Sequence, residues 1–165
     1  MIKTIYLDMD GVVADFNAYA RKICKSDVAD DRWPEDEWLK IKDNPRLYLE
    51  LEKTPEADEL VYFCKKVSLS HNYELKFLTA VPRSNDVFWA FHDKVNWVQR
   101  HYGDIPVMFG PYSKDKHLHC KEGDILIDDR TSNIIEWRAA GGIAVLHKGD
   151  IRATIASVEL VINKD

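Results

Sequence analysis

Residues 2–7, IKTIYL, are an apolar run rich in β-branched and aromatic side chains that ends abruptly in Asp8, Asp10 and Asp15. Such a run reads as a strand. Three acids this close raise one another's pKa and cost stability unless something offsets them. The placement therefore calls for a turn, a metal ion or a reaction at the strand's carboxyl end. A calcium loop of the EF-hand type needs glycine at its sixth position and glutamate at its twelfth. Counted from Asp8, those positions hold Val13 and Tyr19, so that reading fails.

The same alternation recurs along the chain. Further strands are expected at YELKFLTA (73–80), IPVMFG (105–110), DILID (124–128) and GIAVLH (142–147), with VELVI (158–162) as an edge-strand candidate. Helical stretches separate them. PEADELVYFCKKVS carries Pro55 at its first turn, acids behind it and Lys65-Lys66 near its end. DVFWAFHDKVNWVQRHYG stops at Gly103, with FWAF and Trp97 expected in the core. TSNIIEWRAAGG offers Thr131 or Ser132 as N-cap and Gly141-Gly142 as its stop. Strand and helix in alternation specify an α/β fold with a mainly parallel sheet flanked by helices.

One segment breaks the pattern. About 40 residues between strand one and the helix near 55 are charged and aromatic, with Trp33 and Trp38 flanking Pro34. A structureless loop of that length is rare in a compact domain, so we read a small helical cap at 16–53 over a core of 1–15 and 54–165. Asp15 then serves as the N-cap or first-turn acid of the cap's first helix. The chain has 23 Lys plus Arg against 28 Asp plus Glu, a net charge of −5, which gives no footprint for a nucleic acid polymer or an anionic membrane. Cys24, Cys64 and Cys120 are odd in number, scattered and without a CxxC. With no signal peptide pattern or transmembrane run, they lead us to expect a cytoplasmic protein with reduced thiols. HLHC (117–120) puts two histidines on a strand-like run without a second ligand pair, and we set a zinc site aside.

In an open α/β sheet, ligands bind beyond the carboxyl ends of the strands. Those ends carry Asp8 and Asp10, Thr79, and Asp128 and Asp129, while Lys114 and Lys116 precede the fourth strand. An all-oxygen acidic set suits a hard ion such as Mg²⁺, which takes one or two carboxylates together with a phosphate oxygen. Asp8 could then attack phosphorus, and Asp10 could protonate the leaving oxygen and later activate water. Thr79 would donate to a non-bridging oxygen, and a lysine would balance the charge. Gly11 lets the chain turn after the acids. Arg83 and Arg130, each beside a motif, could touch phosphate or pair with the surplus aspartates.

DMDGVVADF, FLTAVPR, the SKDKH region and ILIDDRTSNI, in that order, resemble the four motifs of haloacid-dehalogenase-type (HAD) phosphatases. Together with ELEKTPEADEL and KVNWVQRHYG they look most like the 5′(3′)-deoxyribonucleotidase family, over roughly residues 4–147. The resemblance implies a Rossmann-like core and a Mg²⁺-dependent phosphoric monoester hydrolase. Its expected reaction takes a (deoxy)ribonucleoside monophosphate to nucleoside and phosphate through an aspartyl-phosphate on Asp8. By that resemblance Asp10 is the acid/base, and Asp8, the Asp10 carbonyl and Asp129 hold the metal, with Asp128 in support. Thr79, the Ala80 backbone and Lys116 bind phosphate, with Lys114 a near alternative in register. Phe16 contacts the base, and Trp38 is its companion by position. The insertion is shorter than the cap of eukaryotic members, and Ala80 stands where the second motif often has a polar residue. A homodimer is left open, as is the same chemistry on another small phosphate ester. A non-catalytic phosphate- or metal-binding protein of this fold is the alternative of a different class. A phospho-receiver domain uses similar groups in the opposite order along the chain, which argues against it.

Overall fold

The computed structural model describes residues 1–25, 33–83 and 87–163. The expected cap across 26–32 and the expected helix start at Asp86 therefore fall partly outside the described residues. Five parallel strands, β1 (Lys3–Leu7), β2 (Tyr73–Thr79), β3 (Val107–Phe109), β4 (Ile125–Asp128) and β5 (Ile143–Leu146), stand in the order β3-β2-β1-β4-β5. β1 lies in the middle, with Leu7 opposite Phe77 on one side and Ile127 on the other. The chain builds outward from β1 in one direction and then restarts with β4 in the other. The switch point falls where β1 ends, where this topology opens a crevice.

Alternation along the strands decides what lies on each face. Ile5, Leu7, Phe77, Ile125 and Ile127 point to one side, into the larger core. There α4 (Ala57–His71), α5 (Ala90–Tyr102) and α7 (Ile151–Ile162) supply Leu60, Val61, Trp97, Val98 and Val158. Tyr6, Leu78, Leu126 and Ala144 point to the other, where α6 (Thr131–Ala139) contributes Ile134 and Trp137. Tyr6 meets Trp137 edge-on at 5.3 Å between ring centroids.

The 16–53 segment contains α1 (Phe16–Cys24), α2 (Glu35–Lys42) and the short α3 (Leu47–Glu50). The chain leaves and re-enters through one narrow neck. Asp15 N–H donates to the Glu52 carbonyl at 2.8 Å, and Thr54 N–H to the Val13 carbonyl at 2.9 Å. Asp15 also caps α1, accepting from Ala18 N–H at 3.0 Å. On α5, Trp97 Nε1 donates to the Leu51 carbonyl at 2.8 Å, and Asp93 pairs with Arg46 at 2.9 Å. The carboxyl end of the insertion is thus fastened to the core by one buried indole and one ion pair.

Four expectations are corrected. VELVI is the end of α7 and not an edge strand: Thr154, Val158 and Ile162 are buried at a four-residue interval, a helical period that a short apolar run conceals. HLHC lies mostly in a 3₁₀ helix, Ser113–His119, that packs toward α6. Of FWAF, Ala90 is buried, but Phe88 is 75% and Phe91 37% exposed, because α5 begins only at Ala90 and Phe88 stays in the preceding turn. The cap of α6 also differs, since Arg130 takes the N-cap position without a side-chain bond and Thr131 is already helical. No helix among the described residues is long and apolar enough to cross a membrane.

The Trp97 bond gives a direct test of the fastening. Trp97→Phe keeps most of the packing but leaves the buried Leu51 carbonyl without a donor, and should destabilise by about 1–3 kcal/mol. Urea unfolding should show a lower midpoint at unchanged slope; an unmoved midpoint would mean the bond contributes nothing to stability.

Candidate active site

β1, β2 and β4 run side by side, with Leu7 opposite Phe77 and Ile127, so that β4 reaches one residue beyond β1, to Asp128, and β2 reaches on to Thr79. Asp8 N–H donates to the Ile127 carbonyl at 2.9 Å, continuing the ladder one residue past β1. Asp8 therefore stands beside Asp128 across the sheet, with Thr79 at the neighbouring strand end. One carboxylate oxygen each of Asp8, Asp128 and Asp129 falls within 4.8 Å of the others.

Lys116 makes this crowding tolerable. Projected from the 3₁₀ helix, its side chain is 3% exposed and its ammonium lies 2.7 Å from Asp8 Oδ1 and 2.7 Å from Asp128 Oδ2. Burial by itself would lower its pKa, but the two carboxylates outweigh burial and hold it above the usual lysine value. Lys114, the alternative in register, is exposed. Asp8 is 5% exposed, and Oδ1 also accepts from Met9 N–H at 2.8 Å. Burial, followed by the Asp128 charge, raises its pKa well above the ordinary range despite Lys116.

Asp128 and Asp129 are adjacent but differently placed. Asp128 is fully buried and saturated: Oδ1 accepts from Arg130 N–H, and Oδ2 from Lys116 and the Asn133 amide. Its oxygens are taken up by the protein, which makes it a support. Asp129 lines the cavity, and burial and Asp128 push its pKa up to about 6. An acid strained in this way among all-oxygen neighbours suits a hard divalent cation. Gly11 contributes space as well as a left-handed turn at φ +81°. A Cβ there would lie 2.2 Å from Asp129 Oδ2, so any side chain would displace that carboxylate.

Lys94 was not legible as a site residue. From α5 its ammonium reaches Asp10 Oδ2 at 2.6 Å and Thr79 Oγ1 at 2.9 Å, with no exposure to solvent, and it sits 4.5 Å from the centre of the Tyr48 ring. The signal was its position: Ala90, Lys94, Trp97 and Val98 share the buried face of α5, so a lysine interrupts an apolar stripe. Asp10 Oδ1 is buried and has no hydrogen-bond partner among the described residues. One oxygen of Asp10 is fixed by Lys94 and the other is left for something else.

Asp8, Asp10, Gly11, Lys116 and Asp129 line a cavity of about 300 Å³ whose remaining walls include Phe16, Trp33, Trp38 and Tyr48 from the insertion, and Ala80, Arg83 and Arg130 from the core. Phe16 stacks near-parallel to Tyr48 and tilts against Trp38, each at 6.1 Å. The expected residues Asp8, Asp10, Thr79, Ala80, Lys116, Phe16, Trp38, Asp128 and Asp129 thus come to one place. All but Thr79 and Asp128 line the cavity itself, and those two stand directly behind it.

The strain on Asp129 sets a pH dependence. A carboxyl whose folded pKa exceeds its unfolded value binds more protons when folded, so stability falls as pH rises through the gap. For Asp129 the gap runs from 3.8 to about 6. Without metal, Asp129→Asn should be more stable than wild type above pH ~6, by on the order of 2 kcal/mol, with the advantage shrinking as pH drops toward ~4. Thermal melts across that range check this; adding Mg²⁺ should raise the midpoint of the wild type and leave the variant's in place.

Among curated proteins, none matches the chain. A family model, 5′ nucleotidase, deoxy (pyrimidine), cytosolic type C protein, matches residues 1–154, nearly the whole length. The sheet order, the strand-end acids and that match converge on one assignment. The chain belongs to this family of 5′-nucleotidases, phosphoric monoester hydrolases built on a Rossmann-like HAD core.

Proposed function

We propose that the protein hydrolyses deoxyribonucleoside monophosphates, pyrimidine ones first, with Asp8 as nucleophile and Asp10 as acid and base. The observation that carries the reading is the divided state of Asp10. Lys94 grips Oδ2 while Oδ1 stays buried and unpaired at the cavity wall. A carboxyl held that way is aimed at a proton exchange with a neighbouring oxygen.

Asp8, the Asp10 carbonyl and Asp129 would hold Mg²⁺, with Asp128 bracing them. When bound, the ion neutralises phosphate charge and polarises the P–O bonds. Asp8 attacks phosphorus, and the bond to the ester oxygen breaks as Asp10 gives that oxygen its proton. Asp10, now ionised, takes a proton from water, whose oxygen displaces Asp8 and releases phosphate. Thr79 receives Lys94 on its oxygen, so the hydroxyl proton can turn to a phosphate oxygen; its other contact, to the Ala80 carbonyl, is a long 3.5 Å. Lys116 neutralises the non-bridging oxygens. Phe16, Trp38 and Tyr48 offer flat apolar surface to a base, and the family's description supports a pyrimidine.

Asp8→Asn should lower phosphate release from dUMP and dTMP by at least about a thousandfold, and retained wild-type turnover would sink the mechanism. The nucleotide reading fails separately if sugar phosphates or phosphoserine turn over as fast as those nucleotides. Lys94→Met should cut kcat by about 10²-fold or more, because it frees Asp10 and takes from Thr79 the donor that orients its hydroxyl. Parallel thermal melts distinguish this from a folding defect.

A further inference from the structure

Beside the active cavity lies a second hollow of about 580 Å³ that shares Arg83, Ser113, Arg130 and Asn133 with it. Lys114 and Ser132 line only the second hollow, as does one acid, Glu136. Arg83, Lys114 and Arg130 make no side-chain hydrogen bond or ion pair with any described residue. Arg130's charge is felt by Asp129, where it opposes the burial that raises that carboxyl's pKa. In a chain with net charge −5, three cations gathered around one hollow without a carboxylate partner among the described residues run against the overall balance. A phosphate bound at Thr79 and Lys116 uses the buried donors and leaves these three facing a polar hollow.

We propose that the second hollow is a subsite for a second phosphate group, so that the preferred substrate class is a doubly phosphorylated nucleoside such as a 3′,5′-bisphosphate. The proposal rests on the nucleotidase reading of the first cavity and deepens it. One phosphate reacts at Asp8, and the other lies against Arg83, Lys114 and Arg130 with the Ser132 hydroxyl as a further donor. Hydrolysis consumes one water, releases one phosphate and leaves a nucleoside monophosphate. Glu136 opposes the anion and sets how tightly it is held.

Binding of thymidine 5′-monophosphate and thymidine 3′,5′-bisphosphate to full-length Asp8→Asn, by calorimetry with Mg²⁺ present, tests this without turnover. The bisphosphate should bind about tenfold or more tightly, and the advantage should shrink as ionic strength rises. Adding Lys114→Ala should remove most of the advantage while leaving monophosphate affinity within about twofold, and Glu136→Gln should widen it. Equal affinities, or a Lys114→Ala loss shared equally by both nucleotides, would overturn the subsite. Titrating inorganic phosphate into the monophosphate complex identifies the source. Lys114-dependent binding there would mean that the hollow also takes a free ion. Should the wild type release phosphate from no nucleotide, the function reading falls, and the binding comparison still decides the subsite.

Discussion

One buried ammonium makes the rest possible. Asp8, Asp128 and Asp129 cannot stand within a few ångströms of one another at the end of a dry sheet unless a positive charge stands with them. Lys116 supplies it at 2.7 Å from two of the three. The consequences spread outward. The 3₁₀ helix must pack against α6 to deliver that lysine, and Asn133 and the Arg130 amide must finish satisfying Asp128. The protein neutralises one end of the acidic cluster permanently. Asp129 and the open side of Asp8 remain undersupplied with positive charge, which is the condition that favours a bound cation.

Lys94 repeats the arrangement with a different purpose. Both lysines are buried and both meet a motif aspartate, but Lys94 touches Asp10 and Thr79, the groups that would handle protons and phosphate oxygens. Its third neighbour is the ring of Tyr48, which belongs to the insertion. The aromatic wall and the reactive edge thus meet at Lys94.

Much of this was legible because strand ends are simple to read. Each acid of the cluster follows a β-branched run, and parallel strands in a sheet bring their carboxyl ends together whatever lies between. Lys116 was legible from its place between motifs. Its preference over Lys114 had to come from burial, since two lysines two positions apart differ only in which way a short helix turns them. Lys94 was hidden because a lysine on an amphipathic helix is solvated by default; only its place on the Ala90–Trp97 stripe marks it. VELVI was misread for a related reason: five apolar residues fit a strand and a buried helix end equally well, and packing against α4 decides for the helix.

Asp93 and Lys94 are neighbours on α5 that face different structures, one holding Arg46 of the insertion and the other Asp10 of the core. Adjacent helical residues point about 100° apart, so a single turn of helix can serve two masters at once. The unit of modular exchange in this fold is therefore larger than the inserted segment. A chimaera that swaps residues 16–53 for another cap while keeping the native α5 retains a strut shaped for the old cap, and the mismatch would be felt at Asp10. Transplanting substrate preference between such enzymes calls for moving the insertion and α5 together.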